Sequence, residues 1–436
     1  MLGISRHTVN SNLNRCGVVT TLGAVDGAAD RSSVRVKRRP IDRKAQINRV
    51  AAEMFSAQGY NATSMEAIAA KVDISAPALY RHYASKYDMF AAVVSALGQE
   101  LVRHTDFVDE VSDAEVAADP EALLNRLVHA LIDAALLTRA SGGLYRWERR
   151  YLRPEDQAEL MKGMRLVNKR IQRGLLKTRP GLSAQERWML SVGLLSVIGS
   201  VNEHRISADD DVVREVLSEA ATALLSVEFP EAAACEPARL SVWRIFTPDA
   251  GPYESLLYKA IMLFGEQGYA ETSVTQIADA IGVPASGVYR YFSSKGEILG
   301  EAFKRSADRV AGELSAIVGV FPDPRQALDR LIEAYVATWL ANPELSAIYE
   351  TERVNLTSEE QELLRDTERG VTDSWVGPLS ALRPDLGVVP ARLLVHAAVS
   401  LVADPGHLLR DQKAEPGYAQ ACMRRMMTYV LLGGAG

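Results

Sequence analysis

The sequence predicts an all-α chain made of two fused copies of one helical unit. Three observations carry that reading. Apolar residues recur at helical spacing along most of the length, and glycines and capping residues separate the runs. The window 55–86 returns 209 positions later as 264–295, with thirteen of 32 positions identical, among them Phe55/Phe264, Gly59/Gly268, Tyr60/Tyr269, Thr63/Thr272, Ile68/Ile277, Tyr80/Tyr289, Arg81/Arg290 and Lys86/Lys295. Unrelated windows of ordinary composition would share about two. A second match follows at a shift of 204, pairing Glu148-Arg149 with Glu352-Arg353, Leu152 with Leu356, Gln157 with Gln361 and Arg179-Pro180 with Arg383-Pro384. A period of about two hundred residues is too long for a solenoid and implies two complete domains of one kind.

The 436 residues are 47% hydrophobic and 24% charged, the profile of a globular protein rather than a disordered one. Three scattered cysteines, Cys16, Cys235 and Cys422, form no CxxC pair, so neither a zinc site nor a disulfide framework is expected, in keeping with a reducing cytosol. No uninterrupted apolar run is long enough to span a membrane. The most apolar stretch, Trp188 to Val201, is broken by Ser191, Gly193, Ser196, Gly199 and Ser200 and reads as a buried helix. Net charge is −6, but residues 1–50 hold ten Lys/Arg against three acids, +7, which leaves −13 on the rest. A basic arm on an acidic body points to a local anionic partner. Residues 1–34, rich in Ser, Asn, Gly and Thr without periodicity, read as a disordered tail.

Within the first unit, Asp42 caps a helix carrying Ile47, Val50, Ala51, Met54 and Phe55 on one face, and Gly59 ends it. Thr63 opens the next, with Glu66 three residues on and Ile68, Ala69 and Val72 as its apolar face. After the short break Val72-Asp73-Ile74-Ser75, Ser75 caps a very short helix with Pro77 in its first turn. Ser85 then caps a longer one. Short helices joined by a tight turn are a helix-turn-helix. The second unit repeats it over Tyr253–Gly268, Thr272–Ile281 and Pro284–Tyr291, with a capping box from Ser294 to Glu297. Helical bodies follow at 86–110, 120–140, 144–152, 155–177, 184–204 and 209–227, and again at 295–318, 324–341, 344–355, 358–380, 390–403 and 413–432. The expected organisation is a tail (1–34), a basic arm with headpiece 1 (35–100), body 1 (101–228), a linker (229–248), headpiece 2 (249–303) and body 2 (304–436).

The run Phe-x-x-x-Gly-Tyr-x-x-Thr-Ser at Phe55–Ser64, then Ile-Ala, then Leu-Tyr-Arg-His-Tyr-x-Ser-Lys at Leu79–Lys86 resembles the DNA-binding domain of the TetR family of transcriptional repressors. Phe264–Ser273 and Val288–Lys295 repeat it. Most members are single-unit chains that homodimerise, and this chain resembles the less common tandem ones. The resemblance implies that Ala76, Pro77 and Ala78, and Ala285, Ser286 and Gly287, face base edges in the major groove. It places Arg81 and Arg290 at a guanine or a phosphate. Tyr80, His82, Lys86, Tyr289, Tyr291 and Lys295 look like phosphate or sugar contacts, as do Thr63, Ser64, Thr272 and Ser273. Tyr83 and Phe292 read as core. Arg35, Lys37, Arg38 and Arg39 lie where an arm enters the minor groove or tracks phosphates. The equivalent stretch before headpiece 2, Ser241 to Asp249, offers only Arg244, and residues 249–305 carry a net −2.

The family resemblance also implies a pocket between the middle helices and a four-helix dimer interface. Candidate lining residues are Tyr145, Trp147, Tyr151, Met161, Met164 and Trp188, and Tyr335, Trp339, Tyr349 and Trp375, a set that suits a small apolar effector or a plain core. Glu148-Arg149 and Glu352-Arg353 read as helix-surface ion pairs or as anchors for a polar group. The interface helices of the two units are expected to pack on each other within one chain, making an intramolecular pseudo-dimer. The expectation is a cytoplasmic, nucleoid-associated repressor, one chain on an asymmetric double-stranded DNA operator, with no cofactor, metal or membrane. The alternative is a ligand-binding or interaction module whose second headpiece has lost DNA binding. The seven histidines have no metal-ligand spacing, and no nucleophile elbow, phosphate loop or dinucleotide fingerprint is present, so an enzyme is not expected.

Overall fold

The computed structural model describes residues 43–141, 143–144, 148–204, 206–411 and 414–434. The predicted arm and tail, and the Asp42 cap, lie outside the described residues. Among those described there is no strand, and the all-α expectation holds. Headpiece 1 comprises α1 (Arg43–Ala62), α2 (Met65–Lys71) and α3 (Ala76–Tyr80), leading into α4 (Lys86–His104). Small helices α5 (Phe107–Glu110) and α6 (Asp113–Ala118) precede the body helices α7 (Pro120–Leu137), α8 (Pro154–Thr178), α9 (Ala184–Gly199) and α10 (Asp210–Leu225). The second copy runs α11 (Pro252–Gln267), α12 (Val274–Ala280), α13 (Ala285–Val288), α14 (Lys295–Val320), α15 (Pro324–Ala341), α16 (Pro343–Glu352), α17 (Ser358–Leu382), α18 (Val388–Ser400), α19 (Asp404–Asp411) and α20 (Pro416–Leu432).

Each headpiece has its own core. In the first, Ile47, Phe55, Ile68, Leu79 and Phe90 are fully buried, joined by Leu144, Leu152 and Leu160 from the body. In the second, Leu257, Phe264, Ile277, Val288 and Phe303 are sealed by Ile348, Leu356 and Leu364. The bodies instead share one continuous core that runs from Leu101 through Val227 into Leu314 through Leu431. Each fully buried Leu or Ile there contributes about 1.5–3 kcal/mol, so the two repeats are held together by apolar burial.

The predicted four-helix contact forms within the chain, with α9 and α10 packed on α18 and α10 also on α20. Gly193 makes the approach close: a Cβ there would meet Leu401 at 3.2 Å and Leu224 at 3.3 Å. Ser400 donates to the Ser196 carbonyl at 2.9 Å, and Ser196 to Asp404 at 2.8 Å. Arg383 pairs with Glu219 across the repeats at 2.8 Å.

Two helix expectations need revision. The helix expected at 144–152 is, where described at its end, only a 3-10 turn at Glu148–Tyr151, because Pro154 forces Arg153 into an extended backbone and starts α8 there. α19 was not foreseen. The stretch Val388–Gly406 is, by length and a mean hydropathy of 1.4, apolar enough to cross a membrane, although no such segment was expected. Its composition is explained by its position, since Leu394, Ala397, Ala398 and Leu401 are fully buried in the contact between the repeats. The expected linker 229–248 packs on the second repeat. Phe246 is fully buried, the Ile245 N–H donates to Asn342 at 2.8 Å, and Arg244 pairs with Glu344 at 2.9 Å.

Candidate nucleic-acid interface

The turn between the second and third helices is set by one residue in each copy. Asp73 adopts φ 57° and its counterpart Gly282 φ 69°, the left-handed region that an Asp tolerates better than most side chains and that a glycine enters freely. The Ile74 and Val283 N–H groups then bond back to Ala69 and Ala278, closing the turn. Ser75 caps α3 by accepting from the Ala78 N–H, whereas Pro284, its counterpart, caps without a side-chain bond. Leu79 and Val288 point inward at 0% and 1% exposure and fix each short helix to its core.

What remains outward is the predicted reading face. Pro77, Tyr80, Arg81 and His82 are exposed in headpiece 1, as are Ser286, Tyr289, Arg290 and Tyr291 in headpiece 2. Ala76 and Ala78, and Ala285 and Gly287, are half-buried with their outer edges open. Ser64 and Ser273 are exposed and cap the second helices, accepting from the Ala67 and Gln276 N–H groups. The small surface groups let a groove come close, and the exposed tyrosines and arginines flank them.

Four of the predicted contacts sit elsewhere. Thr63 and Thr272 are 1% exposed. Their hydroxyls donate inward to the Gly59 and Gly268 carbonyls, both at 2.8 Å, so they close the first helix, and the neighbouring serines do the capping. Lys86 donates to the Tyr60 and Asn61 carbonyls at 3.0 and 3.3 Å and lies 4.5 Å above the Tyr60 ring. Lys295 donates to the carbonyls of Tyr269, Ala270 and Thr272 at 2.7, 3.1 and 2.9 Å over the Tyr269 ring. Burial lowers the proton affinity of both ammonium groups. All three N–H donors of Lys295 are thus directed at backbone, and both lysines fasten the end of the first helix. Tyr83 is core, as expected, and its hydroxyl donates to Asn48. In headpiece 2 that bond is replaced by stacking of Phe292 on Tyr253 at 5.3 Å. Arg244, the only cation in the stretch Ser241 to Asp249, is paired with Glu344.

The predicted effector residues that are described are spread over several places in the two bodies. Tyr145 and Trp147 lie outside the described residues. Tyr151 packs on Tyr60 at 5.2 Å, and Tyr349 donates to Glu368 at 2.7 Å. Trp188 is half-buried on α9, and the Trp339 ring lies against Gly406. Among the described residues, Trp375 and Tyr335 are brought together, edge to face at 5.9 Å between α15 and α17. Trp375 is fully buried, and its indole N–H has no hydrogen-bond partner among the described residues. A separate cleft of about 300 Å³ opens between α14 and α17 beneath headpiece 2, lined by Tyr253, Tyr291, Phe303 and Leu363 among others, and none of the predicted effector residues lines it.

Sequence reasoning placed Glu352 in the wrong setting. Expected on a helix surface beside Arg353, it is 2% exposed and paired with Arg150 of the first repeat, while Arg353 faces Glu368 at 3.5 Å. The repeat alignment held one clue: Arg150 and Val354 occupy equivalent positions yet differ in chemistry.

Two helix-turn-helix headpieces, each with a small-residue reading face on a helical body, define a DNA-binding regulator. The family described as bacterial regulatory proteins, tetR family, matches residues 47–93 and again 256–302. The transcriptional activator FasR of Mycolicibacterium smegmatis is 31% identical over 174 residues, 39% of this chain and 74% of that protein. The transcriptional repressor KstR2 of Rhodococcus jostii is 30% identical over 133 residues, 30% of this chain and 65% of that protein. The solved structure of the ketosteroid regulator KstR2 of Mycobacterium tuberculosis is similar over 43% of this chain and 97% of that one, with 23% identity and a TM-score of 0.36. The chain belongs to the tetR family, in a tandem form with two DNA-binding units, and its named relatives are transcriptional regulators rather than enzymes.

Proposed function

We propose that this chain is a single-chain pseudo-dimeric repressor that places its two headpieces in successive major grooves of an asymmetric operator. The observation that carries the reading is the contact between α9–α10 and α18–α20, which joins the two headpiece-bearing bodies within one chain. A homodimer presents two identical reading helices and favours a palindrome. Here Pro77 and His82 stand opposite Ser286 and Tyr291, so the half-sites differ. Pro77 offers apolar contact only, whereas Ser286 donates or accepts a hydrogen bond, and each good base contact is worth about 1–3 kcal/mol of discrimination. Arg81 and Arg290, with Tyr80 and Tyr289, are shared and favour similar flanks.

Release by a small apolar effector is part of the same reading. It is supported in the second repeat by the buried Trp375 indole, an unpaired donor in an apolar setting that a ligand's acceptor oxygen would satisfy. An effector that prefers a headpiece spacing unfit for DNA weakens DNA binding, and DNA weakens effector binding by the same factor.

One observation favours a second reading, in which headpiece 2 no longer binds DNA: it carries a net −2 over 249–305, and Arg244, the one cation of the stretch Ser241 to Asp249, is paired. Tyr80→Ala and Tyr289→Ala separate the two. Binding to double-stranded DNA selected by the protein from a random pool is followed by anisotropy. Comparable losses from both variants support the pseudo-dimer, and a loss from Tyr80→Ala alone supports the second reading.

A further inference from the structure

We infer that the buried Glu352 carboxylate, clasped by Arg150 of the other repeat, is the latch that fixes the separation of the two headpieces and hence the half-site spacing the protein accepts. This rests on the reading of both headpieces as DNA-binding. Glu352 closes α16, and Arg150 lies in the 3-10 turn Glu148–Tyr151, so the pair joins the two bodies. A second guanidinium nitrogen of Arg150 donates to the Thr351 carbonyl. The other Glu352 partners reach toward headpiece 2: the Tyr269 N–H donates to it at 3.4 Å, directly after α11, and Asn355 donates at 2.8 Å. On the other side, Arg150 donates to the Tyr151 hydroxyl at 3.1 Å. Tyr151 in turn takes a hydrogen bond from Asn61 and packs on Tyr60, at the end of the first helix of headpiece 1.

A chain of direct contacts therefore runs from headpiece 1 (Asn61 and Tyr60) through Tyr151, Arg150 and Glu352 to headpiece 2 (Tyr269). An apolar contact lies beside it, where Gly59 sits so close to Val354 that a Cβ would meet its methyl group at 3.2 Å. Gly59 needs φ 79° in any case, so position 59 is held both by conformation and by the other repeat. The arrangement is not symmetric. Arg150 and Val354 are repeat equivalents, yet one supplies the charge and the other the apolar wall, and Gly268, the equivalent of Gly59, has no atom within 4 Å of its would-be Cβ. A homodimer of either half could not place both roles at one junction. A buried carboxylate with a single guanidinium partner is sensitive to loss of that partner, so the junction depends on the Arg150–Glu352 ion pair being made.

The test uses the full chain with Cys16 and Cys235 replaced by Ser and nitroxide labels at Ala70→Cys and Asp279→Cys, equivalent exposed positions on the two headpieces. Distances are read by double electron–electron resonance without DNA. The latched protein is expected to give a single narrow distance peak. Arg150→Met, which keeps the aliphatic stem of a part-exposed residue, is expected to replace that peak with a broad distribution, and Arg150→Lys to recover part of it. Glu352→Gln should act like Arg150→Met; if it fails to fold, the Arg150 variants still decide the matter. In parallel, DNA selected by the protein from a random pool is respaced by one or two base pairs. Arg150→Met should bind the selected spacing about tenfold more weakly, an ordinary size for coupling between sites, while its affinity for respaced DNA is unchanged. Distance distributions identical in all variants would overturn the latch, whatever the DNA result. A distance change with no DNA bound by any form would leave the latch standing and refute the DNA-binding reading instead.

Discussion

Acid should loosen the contact between the two repeats. His204, just after α9, and His396, on α18, face each other there with ring centroids 4.5 Å apart. Burial holds His204 down to about 3, helped by His396 and Arg139, and holds His396 down to about 4. The Ile206 N–H donates to Nδ1 of His204, and Nε2 has no partner among the described residues, so the site suits a neutral ring. In the unfolded chain both titrate near 6.5. Between about pH 6.5 and pH 4 the unfolded state therefore binds two protons that the folded state refuses, and stability falls as pH falls. Going from pH 7 to pH 5, each ring is expected to cost about 2 kcal/mol, and the pair about 4 kcal/mol. Neither residue is fully buried, which reduces the expected loss to about 2–4 kcal/mol. Urea unfolding followed by circular dichroism at pH 7, 6 and 5 measures it. His204→Leu with His396→Leu should flatten the dependence across that window. A parallel loss of stability in wild type and double variant would refute the reasoning.

Further predictions follow from the headpieces. Gly282→Ala should destabilise by about 1–2 kcal/mol through left-handed strain, whereas Asp73→Gly, at the equivalent position, should leave the melting temperature within error. Lys295→Met removes three charge-assisted bonds and should cost about 1–3 kcal/mol of stability, read by urea titration. Arg290→Ala, fully outward, should change stability by less than about 0.5 kcal/mol yet weaken DNA binding by about 1–3 kcal/mol. Deleting residues 1–39 should flatten the plot of log K against log salt by about 0.9 for each phosphate that the arm neutralises; an unchanged slope would mean that the arm is idle.

The headpieces were legible because their core positions, caps and turn recur in both copies, and a duplicated constellation cannot be an accident of composition. The contact between repeats was legible for the same reason: small residues such as Gly193, Ser196 and Ser400 have no use on an exposed helix. The lysines were not. A Lys at the start of a helix has the same sequence signature whether its ammonium faces a phosphate or folds back onto carbonyls, and only the path of the chain at Tyr60 and Tyr269 decides. Thr63 and Thr272 were misplaced because Thr-Ser offers two candidate caps, and only the fold shows the threonine hydroxyl bonding back to the carbonyl four residues before it. Glu352 escaped because its partner is 202 residues away in sequence, and no local pattern announces a buried carboxylate. Trp375 was foreseen as an aromatic between helices, but that its N–H would find no acceptor depends on packing alone.

The central claim, one chain with two unlike headpieces on one operator, is tested most directly by sedimentation of the protein–DNA complex together with base-by-base substitution of the operator. The account predicts one chain per operator and unequal losses from mirrored substitutions, largest in difference where Pro77 and Ser286 face the bases. Two chains on a palindrome, with equal losses from mirrored substitutions, would contradict it.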